Sequence, residues 1–343
     1  MGLTDWKPAF RVTVNGSNAT QLFLPRVSSI TITDTAGVQS DTCEIVLTDH
    51  IAMMPIEIPP AGAEIEIALG YLFAAQVVGA YVVDEIEVSG PPGQMRITGY
   101  AAAFGSSDGG KNPLTEAKTR SWPDKTTVKA MVEKIAGESG FKAVVSAEAG
   151  KVELPHIDQI DESDANLLTR VAREYGLLFK PAGLSLVMAK PGESTSAGGE
   201  KLPTVALGPK QVTRWSMRVA RREAAGKVIA AYRDFGSSEP IEIEVDGAPD
   251  GVAGSAQTKR LRKIYPSEAA ARQAAEAEAA RGKRKAVTLS LQLPGRADLM
   301  AEGRVLLAGF RDGVNGEWLI TRVVHSLGSG GWSSTVEAET PPA

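Results

Sequence analysis

Alternating hydrophobic and polar residues dominate the first hundred positions of the chain. The segments FRVTVNG, VSSITITD, CEIVLTD, AEIEIALGY and YVVDEIEV place apolar side chains at every second position, and Gly and Pro residues separate them. Because side chains alternate between the two faces of a β-strand, this period predicts strands that bury one face. The Asn-Gly pair that ends the first segment is typical of a tight hairpin turn. We predict a first β-barrel domain over residues 1–105.

A helical period replaces the alternation after a predicted polar linker at 106–120. Four apolar residues in PDKTTVKAMVEKIAGESG follow the i, i+3, i+4, i+7 spacing of one helix face: Val128, Met131, Val132 and Ile135. A second helix is predicted in DESDANLLTRVAREYG, and the predicted strands FKAVVS, LLFK and LSLVM accompany the two helices. These elements predict a small α+β domain over 121–190, followed by a second linker over 191–202.

Predicted strands return in the last third of the chain, in KVIAAYRD, IEIEVDG, KAVTLSLQLPG, GRVLLAGF and GEWLITRVVHSLG. One Ala-rich helix interrupts them at about 267–281, with Ser267 as its N-cap and Gly282 as its C-cap. We predict a second β-barrel domain over 203–343 that contains this helix as an insertion. The expected fold class is therefore mainly β with α+β: two similar β-barrels separated by a small α+β domain.

The two β regions share a motif. The first contains CEIVLTD, GAEIEIALGY and GAYVVDEIEVSG, and the second contains AVTLSLQLPG, GRVLLAGF and GEWLITRVVHSLG. In each region Tyr81 or Trp318 is followed by two apolar, two polar and one apolar residue. The order and spacing favour an internal duplication, although two unrelated antiparallel β regions could share such features. A trimer of a duplicated chain would present six similar barrels, and could join a six-fold partner to a three-fold one.

The composition is that of an ordinary globular protein with two or three domains: 343 residues, 43% hydrophobic and 23% charged. No apolar run approaches the ~18 residues of a membrane span, and the N-terminus lacks the apolar core of a signal peptide. Cys43 is the only cysteine, so no internal disulfide can form. Because Cys43 shares a strand face with Ile45 and Leu47, we predict a core residue and not a nucleophile.

Charge is unevenly distributed, with a net −7 over residues 1–100, −2 over 101–200 and +5 over 201–343. An acidic N-terminal region is a poor binder of nucleic acid because it repels phosphates. Three basic runs occur in the last region: RWSMRVARR at 214–222, KRLRK at 259–263 and RGKRK at 281–285. The predicted helix between two of them carries acidic residues, unlike a recognition helix. Solvated rims or contacts to an acidic partner are favoured, and a DNA-binding regulator remains an alternative.

The segment GSSDGGKNP, Gly105–Pro113, matches a serine-hydrolase motif around Ser107 and nearly matches a phosphate loop around Lys111. Both motifs must lead into a helix. Pro113 disfavours helical dihedrals at Asn112, which also stands where a phosphate loop needs Ser or Thr. We predict a polar connector with neither activity.

No other constellation of residues indicates a reaction. The three histidines, His50, His156 and His325, are far apart in the sequence, and with one cysteine they make a zinc site improbable. The acids Asp161, Glu162 and Asp164 fall at a predicted helix start, where the helix dipole and a capping box between Asp161 and Asp164 explain them. The five tryptophans are dispersed, which disfavours a sugar-binding module. The sequence predicts no catalytic residue, no cofactor-binding residue and no metal site.

The chain resembles the late control D proteins of contractile-tailed phages, which are baseplate or tail-hub proteins. The resemblance depends on SWPDKTTVKAMVEKIAGESG, DESDANLLTRVAREYGLLFK, YPSEAAARQAAEAEAARG and LMAEGRVLLAGFRDGVNGEWLITRVVHSLGSGGWSSTVEAE. These stretches cover most of 120–180 and 260–340, and none is a catalytic motif. The recognition therefore rests on their order and joint presence.

The resemblance implies a non-enzymatic, homotrimeric baseplate hub without cofactors. Its expected partners are the six-fold tail tube protein, the three-fold central spike protein and other baseplate proteins. DNA would pass through the lumen only as cargo, and no membrane binding is expected. The same hub fold begins type VI secretion spike proteins; because this chain ends soon after its last predicted strand, its spike is expected to be a separate protein.

The expected location is a virion or a tail-like particle such as a pyocin, assembled in the bacterial host cytoplasm. A cell-wall-degrading tail hydrolase and a DNA-binding late-gene regulator are the alternatives.

Overall fold

Strands dominate the computed structural model, in which five α-helices and 23 β-strands are found among the described residues. The described ranges are 7–37, 41–49, 56–60, 62–72, 74–101, 113–182, 185–193, 202, 204–220, 225–233, 239–248 and 255–342. Within these ranges no helix combines the length and apolar character needed to cross a membrane.

The N-terminal region forms antiparallel strands in the order β2-β1-β5-β6-β7-β4-β3. Their bounds are β1 Pro8–Val14, β2 Ser17–Asn18, β3 Val27–Thr35, β4 Thr42–Thr48, β5 Glu64–Tyr71, β6 Gln76–Ser89 and β7 Gln94–Ala101, with a single-turn helix α1 at Thr20–Phe23. The alternation predicted these strands, because every second side chain enters one apolar core. Several of these side chains are inaccessible to solvent, among them Ile30, Ile45, Ile67 and Ile97.

The middle region contains three small sheets, β10-β14-β13, β11-β9 and β12-β8, with their helices. Its elements are β8 Ala117–Trp122, β9 Thr126–Thr127, α2 Val128–Ser139, β10 Lys142–Val145, α3 Ala147–Gly150, β11 Glu153–Leu154, β12 Ile157–Ser163, α4 Asp164–Glu174, β13 Leu178–Ala182 and β14 Ser185–Ala189. The predicted apolar stripe of α2 is buried, and the helix ends at a left-handed Gly140. The predicted capping box on α4 is wrong: Ser163 is the N-cap, and its hydroxyl accepts from the Asn166 N–H at 3.3 Å.

The C-terminal region has the strand order β16-β20-β23-β22-β21-β15. The bounds are β15 Thr204–Leu207, β16 Arg214–Val219, β20 Val287–Pro294, β21 Arg304–Leu307, β22 Gly316–Gly328 and β23 Gly331–Glu339, with a short 3₁₀ turn at Pro209–Gln211. Trp318 and the apolar residues of β20, β22 and β23 form its core.

A separate unit is inserted between β16 and β20. It consists of β17 Ala225–Tyr232, β18 Ile241–Asp246, β19 Ser255–Tyr265 and α5 Glu268–Lys285. The three strands form their own sheet in the order β18-β17-β19, and buried alanines of α5 pack on it. From the sequence, KVIAAYRD and IEIEVDG are predicted as strands of the second β region, with the helix alone as the insertion. The insertion is larger because the Ala-rich helix face needs a sheet of its own to cover it.

The strand order is consistent with the duplication predicted from the sequence. The first region pairs its strands as β3-β4-β7-β6-β5-β1, and the second pairs its strands as β16-β20-β23-β22-β21-β15. The first five positions correspond, but the outermost strands differ in direction, because β1 is antiparallel to β5 and β15 is parallel to β21. Both regions also carry a bulge at the same place. The ladder between β6 and β7 skips Asp84, and the ladder between β22 and β23 skips Thr321. These are the equivalent positions of the sequence motif.

The hydrogen bonds beside each bulge are also equivalent. Val83 donates its N–H to Ala63 O at 2.9 Å, and Ile320 donates to Gly303 O at 2.9 Å. In return, Val83 O accepts from Gly62 N–H, and Ile320 O accepts from Glu302 N–H. Gly62 and Glu302 both have positive φ, 83° and 66°. The same bulge, with the same backbone hydrogen bonds and a positive-φ residue beside it, thus occurs twice in the chain.

The two β regions are joined in a single sheet of 13 strands. Residues Ser29–Thr35 of β3 pair antiparallel with Arg322–Gly328 of β22, so that a strand of the first region continues the sheet of the second. The prediction of two barrels is therefore not confirmed, and no closed barrel is found in the ranges that the structure describes. The alternation specified which faces are buried, but it does not specify which strand edges pair.

Candidate functional site

The structure keeps the cysteine and the described histidines apart. Cys43 is buried in the first core, and burial raises the pKa of its thiol to about 12. His325 is also buried; its Nδ1 lies 2.8 Å from Ser334 Oγ, and burial lowers its pKa. His156 is exposed, and its Nε2 lies 3.0 Å from Asp158 Oδ1. A neutral thiol and a solvent-excluded imidazole supply no activated nucleophile.

The residues Ser107 and Lys111 of the predicted polar connector, and His50, lie outside the described residues. Among the residues that are described, no group of three or more His, Cys, Asp or Glu side chains could hold a metal ion.

The acids at the start of α4 have structural roles. The carboxylate of Asp164 is fully buried and binds Lys118 Nζ at 2.6 Å and Arg120 Nη2 at 2.6 Å. Glu162 accepts from Arg170 at 2.7 Å. Each carboxylate is thus paired with a cation, as burial requires.

Cations of two predicted basic runs bind carboxylates of the same chain. The pairs are Lys259–Glu278 at 2.5 Å, Lys263–Glu174 at 2.7 Å, Arg281–Glu278 at 2.6 Å and Arg284–Glu339 at 2.8 Å. They connect α5 to β19 and β23, and β19 to α4. The third run differs: Arg214 and Arg218 on β16 form no ion pair with the described part of the chain.

A buried ion cluster lies where the three regions meet; we name Asp34, Asp41 and Lys180 the junction cluster. Lys180 of β13 places its Nζ 2.5 Å from Asp34 Oδ1 and 3.2 Å from Asp41 Oδ2. Asp34 Oδ2 accepts from the Ala301 N–H of the C-terminal region at 2.7 Å. Asp41 Oδ1 accepts from the Thr35 N–H at 3.0 Å. The cluster therefore bonds the α+β region to both β regions.

The junction cluster lines a cavity of about 340 Å³ together with Glu302 and His325. Burial and the neighbouring Asp34 raise the pKa of Asp41 to about 6, and burial raises the pKa of Glu302 to about 7. Burial also opposes ionisation of Asp34, but Lys180 outweighs it and lowers that pKa. Shifted carboxyl groups in a cavity are also found in active sites. Here their partners are a lysine and backbone N–H groups, which is the chemistry of a structural joint.

Sequence reasoning did not identify the junction cluster, although one signal was available. In VSSITITD, Asp34 lies on the same strand face as Ile30 and Ile32, which enter the core. A charged residue on an apolar face needs a buried counter-ion. The sequence does not show that Lys180, 146 residues away, provides it.

Among the strand edges that are open within the described residues, two lie in the large sheet near the contact between the β regions. The strand β16 pairs only with β20, and five of its six residues are exposed. The C-terminal half of β6, from Glu85 to Ser89, pairs only with β7, and most of its residues are exposed. Such edges are sites at which another strand can add to a sheet.

Comparison with known proteins identifies the family. The family model described as phage tail baseplate hub matches residues 114–331 of this chain, which is more than half of it. The chain belongs to the phage tail baseplate hub family. The hub is 30% identical to the probable baseplate hub protein of Escherichia phage 186, over 98% of this chain and 94% of that protein. It is 28% identical to the corresponding protein of Escherichia phage P2, over 97% and 93%.

Solved structures show the same fold. The 43 kDa tail protein of prophage MuSo2 from Shewanella oneidensis has a TM-score of 0.74 to the hub at 16% identity, covering 97% of this chain and 98% of that chain. The tail protein from Neisseria meningitidis has a TM-score of 0.72 at 15% identity, covering 97% of each chain. A type VI secretion component of E. coli has a TM-score of 0.54 at 15% identity, covering 98% of this chain and 77% of that one. The solved structures show the fold, and the family model with the two phage relatives shows that the hub is a baseplate protein of a phage tail.

Proposed function

We propose that the hub assembles as a homotrimer that joins the six-fold tail tube to the three-fold spike. Three copies supply six β regions of one strand order, alternately the N-terminal and the C-terminal region. Such a ring has three-fold symmetry and approximates six-fold symmetry, so its two faces fit partners of different symmetry.

The repeated fold is the observation that supports this proposal most. A chain that only had to present one face to one partner would not need two regions with the same strand order and the same bulge. The α+β region and the inserted unit have no counterpart in the other half of the repeat. They provide the features that distinguish the three-fold face from the six-fold face.

The proposed role is structural and not enzymatic. The curated relatives are baseplate hub proteins. The described histidines and Cys43 lie apart, and the shifted carboxyl groups belong to a salt-linked joint. DNA would pass through the ring as cargo, and the net −7 of residues 1–100 would keep it from binding.

The mass of the purified protein tests the proposal. Light scattering behind a sizing column, with the protein alone and mixed with its spike partner, is expected to give three chains of 36.1 kDa, or about 108 kDa plus the mass of any bound spike. A monomer of 36.1 kDa under both conditions would contradict the trimer.

A further inference from the structure

The pairing of β3 with β22 joins the first β region to the second within one chain. Between the two β regions, β3 of the first is equivalent to β16 of the second, and β6 of the first is equivalent to β22 of the second. The equivalents of the two paired strands, β16 and the C-terminal half of β6, each have an open edge. The equivalent pairing, of β16 with the C-terminal half of β6, is therefore not made within one chain. The strand order places these two strands apart in a single copy.

The shared bulge fixes the register of this counterpart. Arg322 follows the bulge in β22 as Glu85 follows it in β6. The paired residues can be followed from β6 through β7 and β4 to β3, and in the second region from β22 through β23 and β20 to β16. This alignment makes Thr33 of β3 equivalent to Arg218 of β16. Inside the chain, Val324 pairs with Thr33. The equivalent pair between two copies is Glu87 with Arg218.

The side chains at this register are complementary. Glu87, whose Oε2 lies 3.5 Å from Arg96 Nε of the neighbouring strand in its own chain, would also face Arg218, an arginine that has no ion pair with the described residues. The neighbouring pairs are apolar: Ile86 faces Val219, and Val88 faces Met217. Val88 and Val219 are large apolar side chains left 55% and 49% exposed. Cross-strand pairs of opposite charge and of β-branched residues are those that stabilise antiparallel ladders.

We propose that β16 of one copy adds antiparallel to residues 85–89 of β6 of the next copy, with Glu87 opposite Arg218. The occupant of both open edges is a second copy of this chain. The inference rests on the proposed trimer and deepens it, because three such contacts alternate with the three internal β3–β22 contacts and close a ring of sheets. It specifies which strands meet and in which register.

Cysteine cross-linking tests the register. Directly opposite residues have Cβ atoms about 4.5–5.5 Å apart, within reach of a disulfide after slight adjustment. Oxidation of the full-length double variant E87C/R218C with copper phenanthroline is expected to give a covalent trimer on a non-reducing gel. The matched control E87C/V219C, shifted by one residue, places its thiols on opposite faces and is expected to stay unlinked. The native Cys43 is buried, and single-cysteine variants control for it.

Charge reversal provides a second measurement. E87R and R218E are each expected to raise the dissociation constant of the trimer about tenfold or more, and E87R/R218E is expected to recover most of the loss. E153R reverses an exposed strand glutamate in the α+β region and serves as the matched control.

The outcomes separate this inference from the proposed function. A trimer that forms in the reduced proteins but is linked equally by both cysteine pairs, or by neither, overturns the register and leaves the trimer standing. A mass of one chain for the unmodified protein overturns both. Linking by E87C/R218C alone, with rescue by the charge swap, supports the proposal.

Discussion

Replacement of Lys180 by methionine tests the junction cluster most sharply. The substitution keeps the length of the side chain but removes a cation that is bonded to both Asp34 and Asp41. The two carboxylates then line the cavity without the positive charge of Lys180. Because the cluster connects three regions of the hub, the loss of stability is expected to affect the whole molecule and not one loop.

The magnitude follows from burial. The side chains of Lys180, Asp34 and Asp41 are 14%, 18% and 18% exposed, so solvent screens the charges weakly. Removing one partner of a buried ion pair costs about 3–5 kcal/mol. Asp41 already has a pKa raised to about 6, so protonation of this group relieves part of the cost and favours the lower end of the range. The double variant Lys180→Met/Asp34→Asn removes one of the two carboxylates and their mutual repulsion, and it is expected to regain at least half of the loss.

Equilibrium urea unfolding followed by tryptophan fluorescence measures these differences. Lys142→Met is the matched control, because Lys142 is an exposed lysine of the same small sheet. It is expected to change the free energy of unfolding by less than about 0.5 kcal/mol. If Lys180→Met costs less than ~1 kcal/mol, or no more than Lys142→Met, the junction cluster does not hold the regions together.

Three further predictions concern single side chains. Burial raises the pKa of Glu302 from 4.5 to about 7, so the free energy of unfolding falls as the pH rises through this window. In urea unfolding, Glu302→Gln is expected to be more stable than the wild type by up to ~3 kcal/mol at pH 8 and equally stable at pH 4. If the free energy of unfolding depended on pH in the same way in both proteins, this prediction would be contradicted. Gly295→Ala would place a Cβ 2.0 Å from the Trp332 ring and is expected to lower stability by ~2 kcal/mol, whereas Gly330→Ala, with open space around it, is expected to be neutral in the same assay. Cys43 is expected to react with Ellman's reagent only after unfolding, with one thiol per chain, and rapid labelling of the native hub would refute its burial.

Local pattern predicted the elements well. Alternation identified strands of both β regions, and the spacing of Val128, Met131, Val132 and Ile135 identified the buried face of α2. The repeat was visible because its bulge, a local feature, leaves the same order of apolar and polar residues after Tyr81 and Trp318. These properties depend on neighbours in sequence, which is why one sequence was enough.

Properties that depend on distant residues were missed. The pairing of β3 with β22 joins segments nearly 300 residues apart, and any exposed edge with the right faces would satisfy the same pattern. The strand β19 was not predicted because its charged side chains looked like a solvated run, whereas they pair with acids on α4, α5 and β18. The junction cluster depends on a lysine from another region. None of these partners is encoded locally.

Electron microscopy of the purified oligomer, viewed along its axis, tests the central claim most directly. The repeated strand order predicts a ring with three-fold symmetry in which six similar sheet densities surround one opening. Contacts between chains are predicted to resemble the contacts within each chain. A ring with only three such densities, or an assembly in which the N-terminal and C-terminal β regions lie at different heights and do not alternate, would contradict it.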